Sequence, residues 1–255
     1  MSDPRQTMTP EAPEHAIWQE VEFGSYGADL PLWAALATVR GGPVLELGAG
    51  AGRVALHLAA KGAEVIAVDR DPELAAELER RAERAGSRLT VLVADLAAPG
   101  DLTLPAPPRL AIAPLHLLQE LVGDERRALL KALSELLAPG ALVAATLVDE
   151  STLLSEGLAP NKILPDIREI GDWVYSSEPL WVQVGDRTMR VRRLRERVSP
   201  DGEMERTVHD ELLERVSPEQ LEEEVRDTGL RPAGRRAIEA GPNEADSVVV
   251  LAEVR

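Results

Sequence analysis

Residues 44–53 read Val-Leu-Glu-Leu-Gly-Ala-Gly-Ala-Gly-Arg. A short, largely apolar run of buried-strand length leads directly into glycines at 48, 50 and 52, and a helical pattern follows from Arg53 to Lys61, stopped by Gly62. Glycines at a strand-to-helix junction let the backbone approach a ligand where a β-carbon would collide. A dinucleotide loop of the form G-x-G-x-x-G would have its third glycine at position 53, where this chain has Arg53. The spacing here is G-x-G-x-G instead. Glu46, inside the strand, is an acid for which a pyrophosphate has no use and which suits a cationic ligand.

Outward from this loop, strands and helices alternate. Glu64 to Val68 reads as a second strand with Asp69 at its carboxyl end, and Asp71 to Ala85 as a helix opened by Asp-Pro-Glu and closed at Gly86. Leu89 to Val93 is a third strand, ending at Asp95, and Leu110 to Ala113 is a fourth. An amphipathic helix, Asp124 to Leu137, ends at Pro139-Gly140, and Ala141 to Val148 is a fifth strand. This rhythm predicts a parallel sheet with right-handed crossovers. Ahead of the loop, Glu14 to Val39 reads as helical, broken near Gly24 and Gly27, with Asp29 as an N-cap and Leu30, Leu32, Trp33, Leu36 and Ala37 as the apolar face. Met1 to about Pro13 reads as a loose polar tail.

After Glu150 the rhythm breaks. Trp173 to Leu213 carries three apolar/polar alternating stretches separated by Gly185-Asp186 and Pro200-Asp201-Gly202, the pattern of an antiparallel β insertion. A helix starts at Ser217-Pro-Glu-Gln and ends at Gly229, and Leu230 to Ile238 and Ser247 to Val254 read as closing strands. The expected organisation is a single domain. Residues 1–40 form a helical cap, 41–150 a cofactor-binding core, 151–215 a β-rich substrate lid, and 216–255 a closing helix with antiparallel strands.

Composition narrows the function classes. Among 255 residues, 44% are hydrophobic and only 3% aromatic, so the core is built from Leu, Val and Ala. There is no cysteine, which excludes disulfides, thiolate metal sites and cysteine nucleophiles, and no metal is expected. With 28 basic against 44 acidic residues the formal net charge is −16, a field that repels nucleic acid and anionic membranes. No membrane-length apolar run and no signal-peptide core is present, so a cytoplasmic protein, monomeric or homodimeric, is expected.

The stretch Leu45-Glu-Leu-Gly-Ala-Gly-Ala-Gly-Arg resembles the first motif of class I S-adenosylmethionine-dependent methyltransferases. The resemblance covers roughly Tyr26 to Val148 and extends to the C-terminus through the closing strands. It implies a doubly wound α/β fold with a seven-stranded, mostly parallel sheet, Rossmann-like, with an antiparallel β insertion after strand five. It also implies S-adenosylmethionine as cofactor, S-adenosylhomocysteine as product, and a small-molecule acceptor. By that resemblance Glu46, Gly48, Ala49, Gly50 and Arg53 form the cofactor loop, Asp69 with Arg70 following it meets the ribose hydroxyls, and Asp95 and Leu96 meet the adenine. Tyr26, with Trp33 nearby, corresponds to an aromatic over the sulfonium, and Ala113 and Gln119 to walls of the methionine side. Ala113-Pro114-Leu115-His116 lacks the acidic-Pro-Pro-Tyr pattern of amino-directed nucleic-acid methylases.

Methyl transfer from a sulfonium is an in-line displacement in which alignment and water exclusion supply much of the acceleration, and a base is needed only where the acceptor must lose a proton. His116, after the fourth strand, is the candidate base, with a packed histidine as the plain alternative; His209 and Asp210 are weaker candidates. Between Arg187 and Arg206 lie seven arginines and four acids. They read either as an anion-binding island or, more simply, as strand faces with ion pairs to Glu196, Glu203 and Glu205. A nicotinamide-dependent oxidoreductase and a non-catalytic cofactor-binding protein are the rival readings.

Overall fold

The computed structural model describes residues 8–148, 164–239 and 246–255. The first seven residues of the expected tail and the expected lid boundary at residue 151 lie outside these. Among the described residues, two sheets are present, one of seven strands and one of four.

The larger sheet is ordered β10-β11-β5-β4-β1-β2-β3. Its members are β1 (Val44–Leu47), β2 (Val65–Asp69), β3 (Thr90–Val93), β4 (Leu110–Ala113), β5 (Leu142–Val148), β10 (Leu230–Ile238) and β11 (Ser247–Val254). Strands β1 to β5 pair in parallel, and β11 runs antiparallel to both β5 and β10. The chain leaves β1 toward β2 on one side and returns to β4 on the other. That reversal opens a crevice at the carboxyl ends of β1 and β4, where ligands bind in open α/β sheets.

Alternation of side chains along the strands builds both faces. Leu45, Leu47, Ile66, Val68, Ala111 and Ala113 share a cluster with Leu129 and Leu133 of α6 (Gly123–Leu136) and with Leu221 and Val225 of α7 (Pro218–Asp227). Val44, Val65, Ala67, Leu110 and Ile112 pack instead with Trp33 of α2 (Leu30–Arg40), Val54 and Leu58 of α3 (Arg53–Ala60), and Leu78 of α4 (Pro72–Ala85). A fully buried Leu, Val or Ile contributes roughly 1.5–3 kcal/mol, so the strand positions alone fix which helix covers which face. Glu46 lies on the α2/α3 face, the same as Val44.

The N-terminal segment divides into α1 (Glu14–Phe23) and α2, separated near Gly24 and Gly27. Asp29 stands at the expected N-cap position of α2, but its side chain makes no capping hydrogen bond and its backbone angles are helical. Its carboxylate is buried, accepting from Trp33 Nε1 at 2.8 Å and from both terminal nitrogens of Arg53 at 2.7 Å. Asp71 does cap α4, accepting from the backbone amides of Glu73 and Leu74.

The smaller sheet is a meander of four antiparallel strands, β6 (Asp166–Ile170), β7 (Trp173–Val184), β8 (Thr188–Val198) and β9 (Met204–Glu214). The sequence reading found three of these; β6, with only five residues before the Gly171 turn, was too short to stand out. Pro179, which cannot donate to the ladder, sits at an irregularity of register in β7. One face of this sheet packs on α1, where Trp18 meets Tyr175 edge to face at 5.6 Å and Arg195 makes a bidentate pair with buried Glu22 at 2.7 and 2.8 Å. Four of the five arginines of β8 are paired, Arg195 in this way, Arg192 with Asp210, Arg193 with Asp166 and Arg197 with Glu205, and Glu196 of β8 pairs with Arg206 of β9.

Candidate active site

The glycine loop is held from two sides. Asp69 Oδ2 accepts from the Gly50 amide at 2.7 Å and its Oδ1 from the Asp71 amide at 3.0 Å, while Gln19 Oε1, from α1, accepts from the Ala51 amide at 3.0 Å. A carboxylate oxygen has two lone pairs, so each Asp69 oxygen keeps capacity for a further donor such as a ligand hydroxyl. Gly50 has φ +54°, and a β-carbon there would lie 2.3 Å from Gln19 Oε1. Gly52 has φ +94°, and its β-carbon would lie 2.2 Å from Leu78 Cδ1. The tight turn therefore serves the packing of α1 and α4 as well as any ligand.

At the root of the loop, Glu46 is 2% exposed and one of its carboxylate oxygens has no hydrogen-bond partner. Burial pushes its pKa up to about 8, against the attraction of the Arg53 guanidinium. A buried acceptor without a donor is costly. A cationic ligand placed over the loop would relieve it, and this donor set fits an ammonium or sulfonium compound better than a pyrophosphate. Arg53 is itself engaged by the helical cap. It bonds Asp29 and the Tyr26 carbonyl and lies over the Tyr26 ring, 5.1 Å from its centroid, so Arg53 and Tyr26 fasten the helical cap to the loop.

Asp95 is exposed and accepts from the Ala97 amide at 2.9 Å, whereas Leu96 is buried in the core cluster beside β1 and β2. Arg70 is exposed, directly after Asp69. At the end of β4, Ala113 is buried and Leu115 takes a left-handed backbone with φ 55°, an unfavourable state for a side-chain-bearing residue. His116 follows, just before α5 (Leu117–Glu120), and its Nε2 meets Glu211 of β9 in a short hydrogen bond. Gln119 is buried and ties the end of β5 to the end of β9, accepting from the Val148 amide at 2.8 Å and donating to the Glu214 carbonyl at 3.5 Å. The structure thus gathers Glu46, Gly48, Ala49, Gly50 and Asp69 at one crevice and sets His116 on the β4 side of it. Arg53 and Gln119 have structural partners.

Three contributors were not picked out from the sequence: Gln19, Glu211 and the paired role of Asp29. Strand parity would have found Glu211, because it shares a face of β9 with His209, which was picked out. Among the described residues, two groups each bring a histidine nitrogen and two carboxylate oxygens within 4.8 Å, His15-Asp71-Glu73 and His116-Glu120-Glu211. In each the histidine is paired with one of the carboxylates, Asp71 and Glu211 respectively.

Residues 44–140 match the family model described as a methyltransferase domain. Over that stretch, which holds the glycine loop, Asp69 and Asp95, the chain resembles a methyltransferase domain. Around it, the whole fold is similar to solved methyltransferases. The sugar N-methyltransferase KedS8 from Streptoalloteichus sp matches with TM-score 0.72 at 14% identity, over 94% of this chain and 92% of that one. CcbJ from Streptomyces caelestis matches with TM-score 0.67 at 20% identity, over 96% and 100%. In sequence, 65 residues are 52% identical to ribosomal RNA small subunit methyltransferase A of Anaeromyxobacter dehalogenans, 25% of this chain and 22% of that protein. The chain thus spans about a fifth of the length of that curated relative.

Proposed function

We propose that the protein transfers the methyl group of S-adenosylmethionine to a nitrogen or oxygen of a small-molecule acceptor, releasing S-adenosylhomocysteine. The observation that carries this reading is Glu46, a buried acid with an unpartnered oxygen at the root of a glycine loop. Bound there, the cofactor supplies an electrophilic methyl on a good leaving group. The chain's own part is to hold and align. Asp69 offers its remaining acceptor capacity to vicinal hydroxyls, the Gly48 to Gly50 backbone permits close approach, and Glu46, protonated in the unliganded chain, gives up its proton to balance a cation bound over the loop. His116 takes the acceptor's proton where one must leave.

Two features support a small acceptor. The antiparallel sheet reaches over the β4 side of the crevice, with Glu211 against His116 and Glu214 against Gln119. The net charge of −16 disfavours a polyanion, against the short stretch shared with a ribosomal RNA methyltransferase. Solved neighbours named as sugar and glycopeptide N-methyltransferases favour an amine on a sugar-like or peptide-like scaffold. Among the described residues no helix is long and apolar enough to cross a membrane.

Calorimetric titration with S-adenosylmethionine, S-adenosylhomocysteine and NAD tests the reading, followed by turnover on a panel of amino sugars, other amines and hydroxy compounds. Binding of the two sulfur compounds with turnover on the panel is expected. Binding of NAD alone refutes it, and cofactor binding without any methyl transfer favours the non-catalytic binding role.

A further inference from the structure

We propose that Glu211 of β9 is the positioning residue of His116: by accepting the Nε2–H it leaves Nδ1 as the one imidazole nitrogen able to take the acceptor's proton. The inference rests on the methyl-transfer reading above and adds a lid residue to its chemistry.

The pair joins two parts of the fold that are distant in sequence, the loop between β4 and α5 and the last strand of the meander. Both side chains are mostly withdrawn from solvent, His116 at 13% and Glu211 at 24% exposure, so the contact is weakly screened. Phe23 of α1 lies edge-on to the His116 ring at 6.3 Å, a second constraint on its plane. The left-handed Leu115 immediately before it shows that the surroundings hold this loop against its own preference. A carboxylate-bound imidazole has its tautomer set, as a base requires.

The charges facing the pair are Glu120 from α5, Arg193 from β8 and His209 from β9. Burial pulls the His116 pKa down, but the Glu211 carboxylate outweighs it and the net shift is upward. Glu211 is held at about 2, since His116 and Arg193 outweigh its own burial, and it is ionised throughout the working range. In the transfer step the acceptor's N–H or O–H proton passes to Nδ1 as the acceptor–carbon bond forms. The carbon–sulfur bond breaks with its pair retained by sulfur, and the imidazolium then loses the proton to solvent. Activity must rise with pH through the His116 midpoint, because only the neutral ring accepts a proton.

With four histidines in the chain, ring signals are assigned with one His116→Ala control. NMR titration of the ring in wild type and Glu211→Gln should show the midpoint falling by about one unit or more in the variant, as expected when an opposite charge is removed. The acid limb of kcat should move down by a similar amount, with KM and S-adenosylhomocysteine affinity held and Glu211→Asp partly restoring the wild-type profile. Equal ring midpoints overturn the pairing. A shifted ring with an unmoved acid limb overturns the role in transfer. Absence of turnover on every acceptor overturns the methyl-transfer reading itself, while the ring midpoints still decide the pair.

Discussion

Replacing Glu46 by Gln should make folding stability less dependent on pH. In the folded chain Glu46 keeps its proton to about pH 8, against 4.5 for the ordinary carboxyl, chiefly because it is buried. Between those values the folded state binds a proton that the unfolded state has lost, so stability falls as pH rises through the window and levels off above it. The displacement from 4.5 to about 8 corresponds to a ceiling of about 5 kcal/mol at ~1.4 kcal/mol per unit. Gln has no such titration, and its buried amide adds a penalty that does not vary with pH. Urea unfolding of both proteins from about pH 5 to about pH 9 isolates the effect, since other titrating groups cancel in the difference. The variant should gain on the wild type by several kcal/mol across the window and run parallel above it. A difference constant with pH would refute the reasoning and mean that Glu46 is ionised in the folded chain.

Asp69→Ala should weaken S-adenosylhomocysteine binding by about 1–3 kcal/mol, the loss of charged-group hydrogen bonds; calorimetry showing unchanged affinity would remove Asp69 from the site. Arg126, 3% exposed, bonds both oxygens of Glu224 as well as Glu214 and the carbonyls of Leu118 and Leu121. Arg126→Met should therefore cost about 3–5 kcal/mol by thermal or urea unfolding, and Arg126→Met with Glu224→Leu should recover most of it. Gly52→Ala combines a φ of +94° with a β-carbon 2.2 Å from fully buried Leu78. It should lose about 2–5 kcal/mol from left-handed strain and overpacking together, and an unaltered melting temperature would count against that packing.

Much of the fold was legible because its signals are local. The glycines after β1, the Asp-Pro-Glu opening α4 and the Ser-Pro-Glu-Gln opening α7 each specify an element boundary within a few residues. The strands of the larger sheet fell close to their expected bounds, since buried parallel strands read as short apolar runs. What was not legible depends on partners distant along the chain. Asp29 precedes a helix as a cap would, yet Arg53, 24 residues on, claims its carboxylate. Gln19 carries no local mark of its contact with the Ala51 amide, and Glu211 meets His116 across 95 residues of sequence. Polar pairings of this kind follow from tertiary approach, which periodicity does not encode. The arginine-rich stretch resolved in favour of the plainer reading, with Glu196 and Glu205 among its partners and with Glu22, Asp166 and Asp210 added.

The meander from β6 to β9 occupies one uninterrupted stretch of chain, residues 166–214, while the glycine loop, Asp69 and Asp95 all lie before it. On the proposed reading, the sheet beside the acceptor and the residues around the donor are thus separate, contiguous pieces of the chain. Among the points that fasten this contiguous piece to the rest of the fold are Glu22 on α1 and His116 and Gln119 beside β4, so a change at any one of them alters how the whole small sheet is seated.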